Sequence, residues 1–118
     1  MNRSYGLGRL KSGAMNKTEQ AYSAYLAQLQ AVGGILWHKF EGMKLRLADN
    51  TFFSPDFAVM MPDGQIHIKE VKGYMMDDAN VKIKVAADIY PFRFFVVRAR
   101  AKRDGGGWIE TEVGNVER

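Results

Sequence analysis

A predicted strand carries an acid and a lysine, Glu70 and Lys72, at the end of a face that begins with two isoleucines. In segment 65–72, alternate residues share one face, and the face of Ile66 and Ile68 also carries Glu70 and Lys72. If the isoleucines point into the core, the acid and the lysine emerge at that same inner face, near the end of the strand. The alternative is a surface Glu–Lys pair on an exposed strand.

A second acid, Asp56, follows Pro55 and opens an apolar run. The turn at 62–64 should pair this run with the next strand, and Asp56 and Glu70 lie equally far from that turn. As near cross-strand partners, their Cβ atoms would be roughly 4.5–7 Å apart. Two carboxylates that close repel each other unless one is protonated or a cation bridges them. The spacing therefore predicts a site for a divalent metal with oxygen ligands.

Glu19 has two interpretations. It lies in the first turn of an amphipathic helix and extends the apolar stripe that contains Tyr22 and Leu26. However, Asn16 and Glu19 also have the spacing of a capping box, with Asn16 as the N-cap and Glu19 at N3. Glu19 is thus either a third acid of the site or only a helix cap.

The elements that must position these acids follow from periodicity and turn residues. A flexible basic arm is expected at 1–14, followed by one domain at 15–118. The predicted helix at 77–89 connects the predicted strands at 65–72 and 93–100 as a crossover, so these two strands can lie parallel to each other. We expect an α/β fold in which a helix, a three-stranded antiparallel meander, a helix and a strand form a mixed central sheet flanked by helices. The predicted helices are 16–32 and 77–89, and the predicted strands are 35–40 with an extension to 47, 51–61 interrupted at Pro55, 65–72, 93–100 and 108–113.

Composition narrows the function classes. The 118 residues include no cysteine, which excludes disulfides, thiolate zinc sites and cysteine nucleophiles. No stretch is long and apolar enough to span a bilayer. The formal net charge of +4 favours a polyanionic partner, although a merely solvated surface is the alternative. The basic residues that we expect to contact DNA are Lys17, Lys82, Lys84, Arg98, Arg100, Lys102 and Arg103.

Pro55-Asp56 followed by Glu70-Val71-Lys72 resembles the PD-(D/E)XK signature of restriction-endonuclease-like nucleases. The predicted order of elements resembles the core of that superfamily, and Glu19 matches the helical acid of many members. A closer resemblance, over roughly residues 15–112, is to a family of short phage and prophage proteins. It is carried by the segments 16–19, 45–56, 70–73, 81–84 and 92–94. The resemblance implies that Asp56 and Glu70, with the Val71 carbonyl and Glu19, bind Mg²⁺ or Mn²⁺. Lys72 would stabilise charge on the scissile phosphate.

The resemblance also implies a function, namely a metal-dependent DNA endonuclease selective for branched DNA. Phage junction resolvases, which this chain resembles, act as homodimers, and the expected location is the cytoplasm of the bacterial host. A nicking or repair endonuclease is the nearest enzymatic alternative. Two alternatives are not enzymes: a non-catalytic DNA-binding factor for recombination or packaging, and a protein-interaction domain with incidental basicity.

Overall fold

The computed structural model describes residues 13–72 and 77–114, so most of the predicted arm at 1–14 lies outside the described residues. Neither helix in these ranges is long and apolar enough to cross a membrane. The helices and strands of the described chain are α1 (Lys17–Ala31), β1 (Trp37–Phe40), β2 (Leu45–Ala48), β3 (Thr51–Phe53), β4 (Phe57–Met60), β5 (Ile66–Val71), α2 (Asp77–Ile89), β6 (Arg93–Ala99), a 3₁₀ turn (Lys102–Asp104) and β7 (Trp108–Val113).

Five strands form a mixed sheet in the order β1-β4-β5-β6-β7. β4 is antiparallel to both β1 and β5, whereas β5 and β6 are parallel and β7 is antiparallel to β6. The parallel pair is connected through α2, because neighbouring parallel strands need a crossover. The predicted mixed α/β architecture and the parallel position of β6 are confirmed.

The predicted extension of the first strand past Gly42 is wrong. Glu41 has a φ of 50°, a left-handed conformation that turns the chain away from the sheet after β1. The predicted interruption of the next strand at Pro55 is confirmed, since Pro55 has no N–H to donate to a ladder and separates β3 from β4. Between these two breaks, β2 and β3 pair with each other as a separate antiparallel hairpin.

Side chains pack on both faces of the central sheet. On one face, Tyr22 and Leu26 of α1 cover Phe57, Val59 and Val97. On the other face, residues of α2 and of the β2–β3 hairpin cover the sheet; the buried members of this cluster are Leu45, Phe53, Ala58, Ile68, Ile83, Ala86, Ala87, Phe94 and Val96. β5 therefore lies between two apolar layers, and its polar side chains need partners within the protein.

Lys69 of β5 has such a partner. Its side chain is 9% exposed, and its Nζ lies 2.7 Å from Oε1 of Glu110 on β7. The second oxygen of Glu110 accepts a hydrogen bond of 2.9 Å from the hydroxyl of Tyr22 on α1. Burial, followed by the charge of Glu110, raises the pKa of that hydroxyl far above its ordinary value. This network joins α1, β5 and β7.

We expect Glu110→Ala to lower the free energy of unfolding by about 2–4 kcal/mol, since it leaves a buried ammonium without its counterion. The measurement is urea unfolding followed by tryptophan fluorescence. The double variant Lys69→Met/Glu110→Gln should recover most of the loss, because it removes the buried charge as well. A double variant as unstable as Glu110→Ala would show that lost packing, rather than the unpaired charge, causes the effect.

Candidate metal-binding site

The register of β4 and β5 places Asp56 opposite Glu70. Phe57 pairs with Lys69 and Ala58 with Ile68, so the next pair toward the start of β4 is Asp56 with Glu70. The N–H of Asp56 donates to Oε1 of Glu70 at 3.0 Å. The N–H of Val71 donates to Oδ2 of Asp56 at 2.8 Å. Each carboxylate is thus oriented by a backbone amide of the opposing segment, and the predicted pairing of the two acids is confirmed.

The surroundings of the pair raise the pKa of both acids. Burial, the charge of Glu70 and a weaker contribution from Glu19 raise the pKa of Asp56 to about 8, against the lowering effect of the Val71 hydrogen bond. Burial also raises the pKa of Glu70 to about 7, although the Asp56 amide and the charge of Lys72 act in the opposite direction. A cation bound between the two carboxylates would favour the charged forms that burial disfavours.

Lys72 lies immediately after β5 and is only 4% exposed. Its N–H donates to the carbonyl of Val97 at 2.8 Å, which continues the β5–β6 ladder beyond Val71. Its charge lowers the pKa of Glu70, so the ammonium group faces the acidic pair. The alternative of an exposed Glu–Lys pair is wrong, because apolar layers cover both faces of this strand.

Both interpretations of Glu19 have support. The N–H of Glu19 donates to Oδ1 of Asn16 at 2.8 Å, and the N–H of Asn16 donates to Oε1 of Glu19 at 2.9 Å, which completes the capping box. The charge of the same carboxylate also raises the pKa of Asp56, which places Glu19 near the pair. The helix cap therefore holds a third acid beside the pair.

The chemistry of these side chains fits a hard divalent cation. The donors are carboxylate oxygens, with the Val71 carbonyl as a candidate fourth donor, and these suit Mg²⁺ or Mn²⁺ rather than a soft metal. Among the described residues, no group of three or more acidic, histidine or cysteine side chains has the arrangement of a complete metal cage. Mg²⁺ in particular needs no such cage, since it is commonly held by one or two carboxylates together with waters and substrate phosphates.

The predicted DNA-binding residues lie on three elements. Lys17 is the first residue of α1, two positions before Glu19. The carboxyl ends of β5 and β6 lie at the same edge of the sheet because these strands are parallel, so the basic residues at the end of β6 lie on the side of Glu70 and Lys72. They are Arg98, Arg100, Lys102 and Arg103, all exposed. Lys82 and Lys84 are exposed on α2. Trp108, which follows this basic run, packs against Tyr22 with ring centroids 5.0 Å apart.

Sequence analysis missed Glu41. Its N–H donates to the carbonyl of Asp56 at 2.7 Å, which fixes the backbone of the acidic residue. Its Oε1 accepts a hydrogen bond of 3.0 Å from the N–H of Gly13. The signal available in the sequence was Gly42, which is compatible with a bulge or bend within one strand as well as with the end of β1.

Comparisons of the chain with protein-family models, with curated proteins and with solved structures gave no match.

The raised pKa of Asp56 makes stability depend on pH. In the unfolded chain an aspartate has a pKa of about 4, so the folded protein retains a proton that the unfolded chain loses as pH rises toward 8. The free energy of unfolding therefore falls between about pH 4 and pH 8. We expect Asp56→Asn to be on the order of 1–3 kcal/mol more stable than the wild type at about pH 9 and similar to it at about pH 4.

The measurement is urea unfolding across this pH range in EDTA, with Asp88→Asn, an exposed acid of α2, as the control. Equal pH dependence of the free energy of unfolding in the wild type and both variants would contradict the description of a half-buried, proton-binding pair.

Proposed function

We propose that this chain is a metal-dependent DNA endonuclease with Asp56, Glu70 and Lys72 at its active site. The observation that carries the proposal is the half-buried pair of carboxylates, oriented by backbone amides and with the charge of the buried Lys72 acting on Glu70. Buried acids with raised pKa values and a specific charged neighbour are typical of functional sites. Their position at the end of β5, with α1 and α2 on the two faces of the sheet, also supports a restriction-endonuclease-like core.

Each residue of the site has a role in phosphodiester hydrolysis. Asp56 and Glu70 would hold the cation, with Glu19 completing its coordination directly or through a water molecule. The bound cation would supply a water with a lowered pKa and positive charge at the scissile phosphate. The amides of Asp56 and Val71 fix the orientation of the carboxylates. The ammonium group of Lys72, held against Glu70 in a buried position, would stabilise the negative charge that builds on the phosphate.

Branched DNA is the proposed substrate, cut by a homodimer in the manner of a junction resolvase in phage recombination or replication, within the host cytoplasm. The exposed basic residues at the end of β6 support contact with the phosphate backbone beside the acids. Such contacts carry little sequence information, so selectivity would come from the shape of the DNA. A junction must be cut on two strands, which two copies of the site would accomplish.

A non-catalytic DNA-binding factor is the second candidate. It is favoured by the absence of a complete three-ligand metal cage from the described part of the chain. The backbone hydrogen bonds to both acids also permit a structural role, in which the carboxylates stay protonated and only join β4 to β5.

Cleavage of labelled DNA separates these candidates. With Mg²⁺ present, we expect the wild type to cut a four-way junction or a forked duplex, and we expect Lys72→Ala to lower the rate by about 10²–10³-fold because a group that stabilises the transition state is lost. Asp56→Asn should abolish cutting without weakening DNA binding. Lys39→Ala, an exposed lysine of β1, is the matched control and should cut normally. If no substrate is cut, and if neither the metal nor the substitutions change DNA affinity, the protein is a non-catalytic DNA-binding factor.

The salt dependence of binding identifies the basic surface. Each phosphate contact contributes about 0.9 to the slope of log K against log salt concentration on duplex DNA. We expect the triple variant Arg100→Gln/Lys102→Gln/Arg103→Gln to lower the magnitude of that slope by about 2–3. Lys82→Gln/Lys84→Gln, tested in parallel, shows whether α2 also contributes. An unchanged slope in the triple variant would remove the end of β6 from the DNA-binding surface.

A further inference from the structure

The β2–β3 hairpin, which lies outside the central sheet, has an outer face unlike its inner face. The inner side chains Leu45 and Phe53 are buried in the core. The outer face carries Lys44, Arg46 and Phe52, all exposed to solvent, with 37% of Phe52 accessible. A large aromatic side chain between two basic residues is thus presented to solvent on a short hairpin.

The three outer residues form one local arrangement. The ammonium nitrogen of Lys44 lies over the Phe52 ring, 4.7 Å from its centroid. Arg46 is the cross-strand partner of Phe52. The hydroxyl of Tyr90, which follows α2, donates to the carbonyl of Arg46 at 2.6 Å and so fixes the hairpin to the body of the protein. The aromatic ring is therefore held on a positioned strand between two cations.

This arrangement is connected to the acidic pair. β3 ends at Phe53, three residues before Asp56. A cleft of roughly 360 Å³ beside the hairpin is lined by Glu41, Gly42, Met43, Lys44 and Ser54. Lys44 thus borders both the outer face and the cleft. Glu41, which also lines the cleft, donates its N–H to the carbonyl of Asp56. A chain bound on the outer face would be close to the proposed active site.

We propose that the outer face of the β2–β3 hairpin binds unpaired single-stranded DNA next to the cleavage site, with a base stacked on Phe52 and phosphates near Lys44 and Arg46. The inference rests on the proposed action on DNA and specifies the part of a branched substrate that the protein recognises. An exposed aromatic ring flanked by cations is the arrangement by which proteins bind single strands. In a paired duplex the faces of the bases are already stacked on each other and cannot cover the ring. The carboxylate of Glu41 repels phosphate, which places the phosphates on the outer face rather than in the cleft.

Fluorescence anisotropy of DNA binding tests this role. The probe is a labelled single strand of about 12 nucleotides, used alone or annealed to its complement, and all proteins carry Asp56→Asn to prevent cutting. We expect Phe52→Ala to weaken single-strand binding by about 5- to 100-fold while duplex affinity changes less than about twofold, since one stacked base is lost. Phe52→Trp should retain single-strand binding. Lys44→Gln/Arg46→Gln should lower the salt slope on the single strand by about 1.4.

Trp37 provides a matched control, because it is also an aromatic residue with 37% exposure but lies at the opposite end of the sheet from Asp56. Trp37→Ala should bind both probes normally. Unchanged single-strand binding by Phe52→Ala, equal losses on strand and duplex, or an equal loss in Trp37→Ala would each overturn the proposal. A cleavage assay of the protein without Asp56→Asn separates the proposed nuclease activity from the proposed single-strand-binding surface. Loss of single-strand binding in Phe52→Ala without any metal-dependent cutting rejects only the nuclease, whereas cutting without that loss rejects only the hairpin surface.

Discussion

The antiparallel register of β4 and β5 is the constraint on which the rest of the site depends. It places Asp56 opposite Glu70, and each carboxylate accepts a hydrogen bond from a backbone amide of the opposing segment. A shift of one residue would turn one of the acids to the other face of the sheet. The register is fixed by apolar residues on both faces, including Phe57 toward α1 and Ala58 toward α2 and the hairpin. The packing that stabilises the fold thus also forces two acids together against their repulsion.

The same packing determines where the chain leaves the sheet. At Glu41 a left-handed backbone ends β1, and at Pro55 the missing N–H delays the start of β4. The residues between these points cannot join the central ladder, so they pair as the β2–β3 hairpin and cover one face with Leu45 and Phe53. Both breaks lie next to Asp56. The element that carries Phe52 outward is therefore attached directly to the segment that holds the acid.

Sequence patterns predicted the features that depend on local spacing. The turn at 62–64 fixed the pairing of Asp56 with Glu70, and the Asn16–Glu19 spacing identified the capping box. The separation of the β2–β3 hairpin from the central sheet was not predicted, because its residues alternate like those of a strand in that sheet and only the backbone angle at Glu41 shows that the chain turns away. The burial of Lys69 was also not predictable, because its partner Glu110 lies on β7, far along the chain. Long-range partners of polar residues leave no local pattern in the sequence.

Calorimetric titration of the protein with Mn²⁺ at about pH 7, in two buffers of different ionisation enthalpy, tests whether the acidic pair is a cation site. Because burial raises the pKa of Asp56 to about 8 and that of Glu70 to about 7, cation binding near pH 7 should displace protons from the pair, and the observed heat should differ between the two buffers in proportion to the protons released. Glu70→Gln should lose this binding, whereas Glu112→Gln, whose parent acid pairs with Arg93 on the same sheet, should keep it. Binding of Mn²⁺ that releases no protons, or that survives Glu70→Gln, would contradict a metal site built on the acidic pair.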